Sequence, residues 1–291
     1  MDTIDRIHTQ EIRKIAFWSG PISLQPLTGG ITNRNYLVSQ GPDRFVARVG
    51  AELPHLGIDR RNELECHHAA ETLGVAPRIV YGENGILVTR YIESRTLNAE
   101  GGREPGFSAR LAQVLNQLHD GWDTLCGDLL FFSPFQACRT YVRTALRSGA
   151  RLPADIDHLL SSIRGLSRTV VPYTPTLCHN DMLPANVLDD GERVWLVDWE
   201  YAGIGHPLFD IAMFSACCEF SVAEELEFLG HYLGDKLRSS DIHELRVFKA
   251  ASLLREALWA IVQTEASDLD FDYHEYARNS FDKFRTALNT L

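Results

Sequence analysis

Apolar and polar positions fall in short strand-like runs through the first ninety residues and switch to helical spacing from about residue 107 onward. After a helical stretch at the N-terminus, DRIHTQEIRKIAF, residues 22 to 49 break into three short runs, among them NYLV and RFVARV, separated by the turn-forming LTGGITN and GPD. That is the signature of a β-meander. DRRNELECHHAAETLG predicts a helix capped by Asp59 and stopped at Gly74. RIVYGENGILVTRY supplies two more strands around a turn. Farther on, Leu111, Val114, Leu115 and Leu118 fall at i, i+3, i+4 and i+7, one buried helical face. DIHELRVFKAASLLREALWAIVQTEA is apolar on most sides, as expected of a helix inside a larger domain. Against this helical background, residues 176 to 199 predict an embedded hairpin, with VPYTPTLC leading in, VWLVDW leading out, and a polar loop and DDGE turn between. The pattern predicts an α+β architecture of two lobes. Residues 1–91 form a small antiparallel β lobe with a helix, residues 92–291 a larger, mainly helical lobe, and the linker falls near residues 90 to 95. Ligand sites concentrate in clefts between such units.

Composition narrows the function classes. A chain of 291 residues, 45% of them hydrophobic, can bury a substantial core in two domains. No apolar run approaches the roughly 20 residues of a membrane helix, so no membrane insertion is expected. MDTID places two acids where a secretory leader carries bases, and the expected location is cytoplasmic. The 39 acids against 28 bases give a net charge of −11, which repels phosphate backbones, argues against nucleic acid and favours approach of a cationic small molecule. Cys66, Cys126, Cys138, Cys178, Cys217 and Cys218 include no CxxC and read as reduced core thiols.

The chemistry concentrates in TLCHNDMLPANVLDDGERVWLVDWEYAG, residues 176 to 203. Burying unpaired carboxylates is costly, so His179, Asn180, Asp181, Asn186, Asp198 and Glu200 around a run as apolar as VWLV mark a cleft, a metal or a held partner. The spacing H-N-D-x-x-x-x-N, then a strand, then D-W-E suits phosphoryl transfer. Asp181 can accept a hydrogen bond from an attacking hydroxyl, while Asn186 and Asp198 offer hard oxygen ligands to Mg²⁺. A carboxylate occupied by metal is a poor base, so the roles divide between Asp181 and Asp198.

These residues carry a resemblance. LTGGITNRNYLV, FVARVG, IDRRNE, ILVTRYIES, LHDG, CHNDMLPANVL, LVDWEYAG, PLFDIA and LREALWAIVQ, in that order, resemble the bacterial choline kinase-like group of phosphotransferases. That group is related to ethanolamine kinases and, more distantly, to aminoglycoside phosphotransferases and protein kinases. The resemblance covers nearly the whole chain and implies a bilobal protein kinase-like fold using ATP and Mg²⁺. It implies that TGGITN, with Gly29, Gly30 and Asn33, covers the nucleotide phosphates, although it departs from the protein-kinase G-x-G-x-x-G. It implies that Arg48, where protein kinases place Lys, forks phosphate oxygens and is oriented by Glu63. ILVTRYIES resembles the interlobe linker that pairs with adenine, His119 and His179 hold the catalytic loop, and Asp210 ties down its backbone. His206 stands where relatives often carry Asp.

The acceptor implied is a small cationic alcohol, choline foremost. A quaternary ammonium is held by aromatic faces and nearby carboxylates, whereas a primary ammonium prefers directed hydrogen bonds. The expected acceptor-site residues are Asp181, Glu200, Glu219, Glu256, Trp259, Phe271, Tyr273 and Tyr276. Glu256 stands where choline kinases can carry a second tryptophan, which suits an amine with N–H donors. Ethanolamine, thiamine or an aminoglycoside, or a nucleotide-binding regulator without turnover, are the alternatives.

Overall fold

The computed structural model describes residues 3–27, 33–121, 127–267, 271–289 and 291. Helix α1 (Thr3–Lys14) leads into strands β1 (Ser23–Leu27), β2 (Arg34–Gln40) and β3 (Asp43–Val49), helix α2 (Arg60–Thr72), and strands β4 (Ile79–Glu83) and β5 (Ile86–Arg90). The strands form an antiparallel sheet in the order β1-β2-β3-β5-β4. Side chains alternate across a strand, so each strand serves two faces. Tyr36, Val38, Phe45, Ala47 and Val88 pack with Ile12 of α1 and with Ile15 just beyond its end. The opposite parity, Asn35, Val46, Arg48, Leu87 and Thr89, faces a cavity between the lobes. A one-residue slip in β3 would exchange Arg48 for a core alanine.

Helix α2 starts where Asp59 accepts a hydrogen bond from Asn62 N at 2.9 Å and ends before Gly74, whose φ of +73° suits a residue without Cβ. Its Cys66 and Ala70 pack into the core of the larger lobe. Asn62 ties it there again, donating to Ala202 O at 2.8 Å and accepting from Leu130 N at 2.8 Å.

The larger lobe comprises β6 (Arg95–Thr96), α3 (Ala99–Gly102), α4 (Phe107–His119), α5 (Pro134–Ser148), α6 (Ile156–Leu166), β7 (Thr176–Cys178), β8 (Val187–Asp189), β9 (Val194–Leu196), β10 (Gly203–Gly205), α7 (Pro207–Cys217), α8 (Val222–Leu233), α9 (Ser239–Ala266) and α10 (Tyr273–Leu288). Helix α9, 28 residues long and buried along most of its length, packs against α5, α7 and α10. No helix among the described residues is long and apolar enough to cross a membrane.

The hairpin differs from the one the sequence predicts. β8 and β9 pair across the DDGE turn, where Asp190 Oδ1 accepts from Glu192 N and Arg193 N at 2.9 and 2.6 Å. The incoming strand β7 pairs with β10 instead. The polar loop and a 3-10 turn at Pro184–Asn186 separate β7 from β8, so β7 finds its partner downstream of Asp198.

Candidate active site

Where β7 ends, Asn180 turns the chain with φ +60°, a conformation that asparagine tolerates better than most residues. Its Nδ2 donates to Cys178 O, Tyr201 O and Gly203 O at 3.3, 3.2 and 3.4 Å. Asp210, at the start of α7, accepts from His179 N at 2.8 Å and Asn180 N at 2.7 Å. His119 joins the same carboxylate at 3.1 Å and the Tyr232 hydroxyl at 2.8 Å, and His179 Nε2 bonds Val197 O at 2.9 Å. His119, Cys178 and Asp210 lie together in the core. Both ring nitrogens of His119 and both carboxylate oxygens of Asp210 are engaged in hydrogen bonds, and Cys178 Sγ donates to Thr176 O at 3.5 Å, so the three side chains serve as a hydrogen-bonded support of the loop. His206 caps α7, its Nδ1 accepting from Leu208 N at 3.2 Å, and burial lowers its pKa to about 4, so it caps as the neutral ring. Cys66, Cys138, Cys178, Cys217 and Cys218 are free thiols; burial raises Cys66, Cys138 and Cys218 to about 12, which makes them poor nucleophiles. Cys126 lies outside the described residues.

This frame brings Asp181, Asn186 and Asp198 together. Asp181 Oδ1 receives Arg255 Nη1 at 2.9 Å, and its Oδ2 receives Asn186 Nδ2 at 3.1 Å. Asn186 Nδ2 also donates to Asp181 O at 2.8 Å, which leaves its amide oxygen as an acceptor. Asp198 has φ +66° and a buried Oδ1 without a hydrogen-bond partner among the described residues. Burial first, and then the charge of Glu200, raise its pKa well above the usual carboxylate range. A desolvated acid among other acids favours a cation, and Asp198 with the Asn186 oxygen is a hard donor set that fits Mg²⁺.

A second network runs across the lobes. Arg48 Nη2 lies 2.5 Å from Glu63 Oε1, while its Nε and Nη1 have no hydrogen-bond partner among the described residues. Arg60 Nη1 contacts Glu63 Oε2 at 2.8 Å and Glu200 Oε2 at 3.2 Å, and its Nη2 donates to Asn33 Oδ1 at 2.8 Å. Burial alone would lower the pKa of Arg60, but Glu63 and Glu200 outweigh it and the net shift is upward. Asn33 Nδ2 completes the loop to Glu200 at 2.8 Å. Burial raises the pKa of Glu200 despite the adjacent Arg60.

Two cavities meet at these groups. One, of about 380 Å³, is lined by Arg48, Leu87, Thr89, Tyr91 and Ile92. The other, of about 560 Å³, is lined by Asp181, Glu200, Glu256, Trp259, Phe271 and Tyr276. Ala185, Asn186 and Asp198 line both. Trp259 Nε1 donates to the Tyr201 hydroxyl at 3.1 Å, and Tyr276 OH donates to Glu256 Oε2 at 2.8 Å. Burial raises the pKa of Glu256, opposed by Arg255.

Three expected positions fall elsewhere. Asn33, expected at the nucleotide, lines the second cavity, and its amide is spent on Glu200 and Arg60. Glu219 is not a pocket residue: the chain turns outward there with φ +53°, and its exposed carboxylate pairs with Lys283 Nζ at 2.5 Å. Tyr273 does not line the cavity; it packs edge-on to Trp259 with ring centroids 5.8 Å apart. Gly29 and Gly30 lie outside the described residues. Sequence reasoning missed Arg60 and Arg255. Arg60 stands three residues before Glu63, and Arg255 is the one charge besides Glu256 in AASLLREALWAIV, a run whose apolar flanks imply a buried partner.

Residues 23–248 match the phosphotransferase enzyme family, APH. Protein LicA of Haemophilus influenzae is 29% identical over 194 residues, 63% of this chain and 55% of that protein, so the match spans about half of that relative. Probable choline kinase 3 of Arabidopsis thaliana is 25% identical over 301 residues, 90% of this chain and 86% of that protein. Among solved structures, a choline/ethanolamine kinase family protein from Mesorhizobium loti is 27% identical with a TM-score of 0.79, over 98% of this chain and 95% of that one.

Proposed function

This chain belongs to the phosphotransferase enzyme family, and from that premise we propose that it moves the terminal phosphoryl group of ATP onto the hydroxyl of a small cationic alcohol, choline foremost. The observation that carries the reading is the meeting of two cavities at Asn186 and Asp198, with Arg48 on one side only and Asp181 on the other only. A nucleotide and an acceptor in those cavities approach each other between the groups suited to the transferring phosphoryl.

In this reading Arg48, with two guanidinium nitrogens that have no partner among the described residues, binds phosphate oxygens while Glu63 orients it. Asn186 and Asp198 hold Mg²⁺. When bound, the metal neutralises charge on the phosphate oxygens. Asp181 accepts a hydrogen bond from the acceptor hydroxyl and directs that oxygen toward the shared wall. Because the transition state is loose, positioning and charge neutralisation supply most of the catalysis. Trp259, Phe271 and Tyr276 offer ring faces to the charged nitrogen, and Glu256 adds a carboxylate. That carboxylate also favours a second acceptor, ethanolamine, whose N–H groups can donate to it. An ADP-release screen with choline, ethanolamine, thiamine and an aminoglycoside tests the reading. Stimulation by choline or ethanolamine supports it, whereas ATP binding without acceptor-dependent ADP release would mean a regulator.

A further inference from the structure

Arg255 is a cation buried in the wall of a cavity assigned to a cationic acceptor, where its charge alone would oppose binding. The guanidinium is 1% exposed. Its Nη1 lies 2.9 Å from Asp181 Oδ1 and also 2.9 Å from Glu256 Oε1, so one nitrogen keeps two carboxylate oxygens within twice that distance of each other. The other oxygen of each acid is also held, Asp181 Oδ2 by Asn186 Nδ2 at 3.1 Å and Glu256 Oε2 by the Tyr276 hydroxyl at 2.8 Å. The guanidinium is fixed in turn, over the Tyr201 ring at 4.3 Å and beside Met213 Sδ at 3.8 Å. One cation between two acids leaves this trio with a single formal negative charge.

We propose that Arg255 is a positioning residue that sets the distance between the hydroxyl-receiving Asp181 and the nitrogen-facing Glu256. Through that distance it selects acceptors whose hydroxyl and charged nitrogen are two carbons apart over their three-carbon homologues. The proposal rests on the amino-alcohol reading of this cavity. With the nitrogen anchored near Glu256, an added methylene displaces the hydroxyl from Asp181, and a displacement of about 1 Å at a reacting atom costs about a hundredfold in rate. Lysine would keep the charge but lacks the planar group that stacks on Tyr201 while reaching both acids.

The test compares kcat and KM for 2-aminoethanol against 3-aminopropan-1-ol, and for choline against its three-carbon homologue, in wild type and Arg255→Lys. The wild type should favour each two-carbon acceptor by about tenfold or more in kcat/KM; Arg255→Lys should lower kcat for those acceptors by about tenfold to a hundredfold and bring the ratios near one, with the KM for ATP little changed. Should Arg255→Lys lack a cooperative melt, Arg255→Gln, which leaves Glu256 in place to face the nitrogen and keeps an amide donor beside the two acids, should show the same collapse of the ratios. A wild type without chain-length preference, or a folded variant that keeps it, overturns the spacer. A wild type that phosphorylates none of the four compounds overturns the amino-alcohol reading as well.

Discussion

Arg60 and Arg255 are each buried against two carboxylates, yet one joins the lobes while the other stays within one. Arg60 links Glu63 of α2 to Glu200 beyond β9, and Arg255 of α9 links Asp181 of the loop to its own neighbour Glu256. Both arginines are held protonated: burial would lower their pKa values, and the adjacent acids outweigh it, strongly for Arg255. Asp198 lies between the two networks, and its Oδ1 has no hydrogen-bond partner among the described residues. The difference teaches which acids serve the framework. Those with an arginine have an ion-pair partner within the chain, and Asp198, whose Oδ1 has no such bond among the described residues, is the acid suited to an added cation.

The sharpest way to break this distinction is Asp198→Ala. It should reduce turnover on the order of a thousandfold or more, since charge compensation at the phosphates is lost. It should leave the melting temperature unchanged or higher, because burial and Glu200 already make this carboxylate unfavourable in its charged form. A folded variant with near-normal turnover would sink the metal assignment. Asp181→Asn probes the arginine-paired side. It should lower kcat by about two to four orders of magnitude with a smaller change in the KM for ATP. A loss confined to the KM for ATP would put Asp181 on the nucleotide side instead.

Arg60→Met should act on stability instead. Leaving Glu63 and Glu200 without their shared partner should cost about 3 to 5 kcal/mol, a fall in Tm on the order of 10 °C for a chain of this size. Calorimetry at neutral pH checks it, and an unchanged Tm would show that Arg48 and Asn33 suffice. The smallest expected effect belongs to Trp259→Leu. A desolvated cation-to-ring contact is worth about 2 kcal/mol, so the KM for choline should rise about tenfold or more while that for ATP moves little. An unchanged KM for choline would remove Trp259 from the acceptor site.

The sequence showed most where neighbours along the chain decide the structure. RFVARV announced a strand, and its alternation put Phe45 and Ala47 in the core and Arg48 in the cavity. Asp59 and Gly74 bounded α2 because caps act over one turn. The spacing from Asp181 through Asn186 to Asp198 was readable because a loop and a two-stranded turn bring those positions together. Contacts between distant segments were not readable. β7 and β10 are three residues each, too short for a periodic pattern, and their pairing depends on Asn180 and Asp210. Arg255 reaches Asp181 across 74 positions, and its neighbours on α9 show only an apolar helix. Glu219 misled because it directly follows α7 and its Cys218 cap, where a left-handed turn sends the side chain into solvent.

The central claim is that a phosphoryl group passes between the two cavities where they meet. Its most direct test is phosphorus NMR of the products after the protein is incubated with ATP, Mg²⁺ and either choline or ethanolamine. The account predicts ADP and a phosphorylated amino alcohol in equal amounts, with neither formed when Asp198→Ala replaces the wild type. ADP accompanied by inorganic phosphate alone, or no turnover with either alcohol, would contradict it.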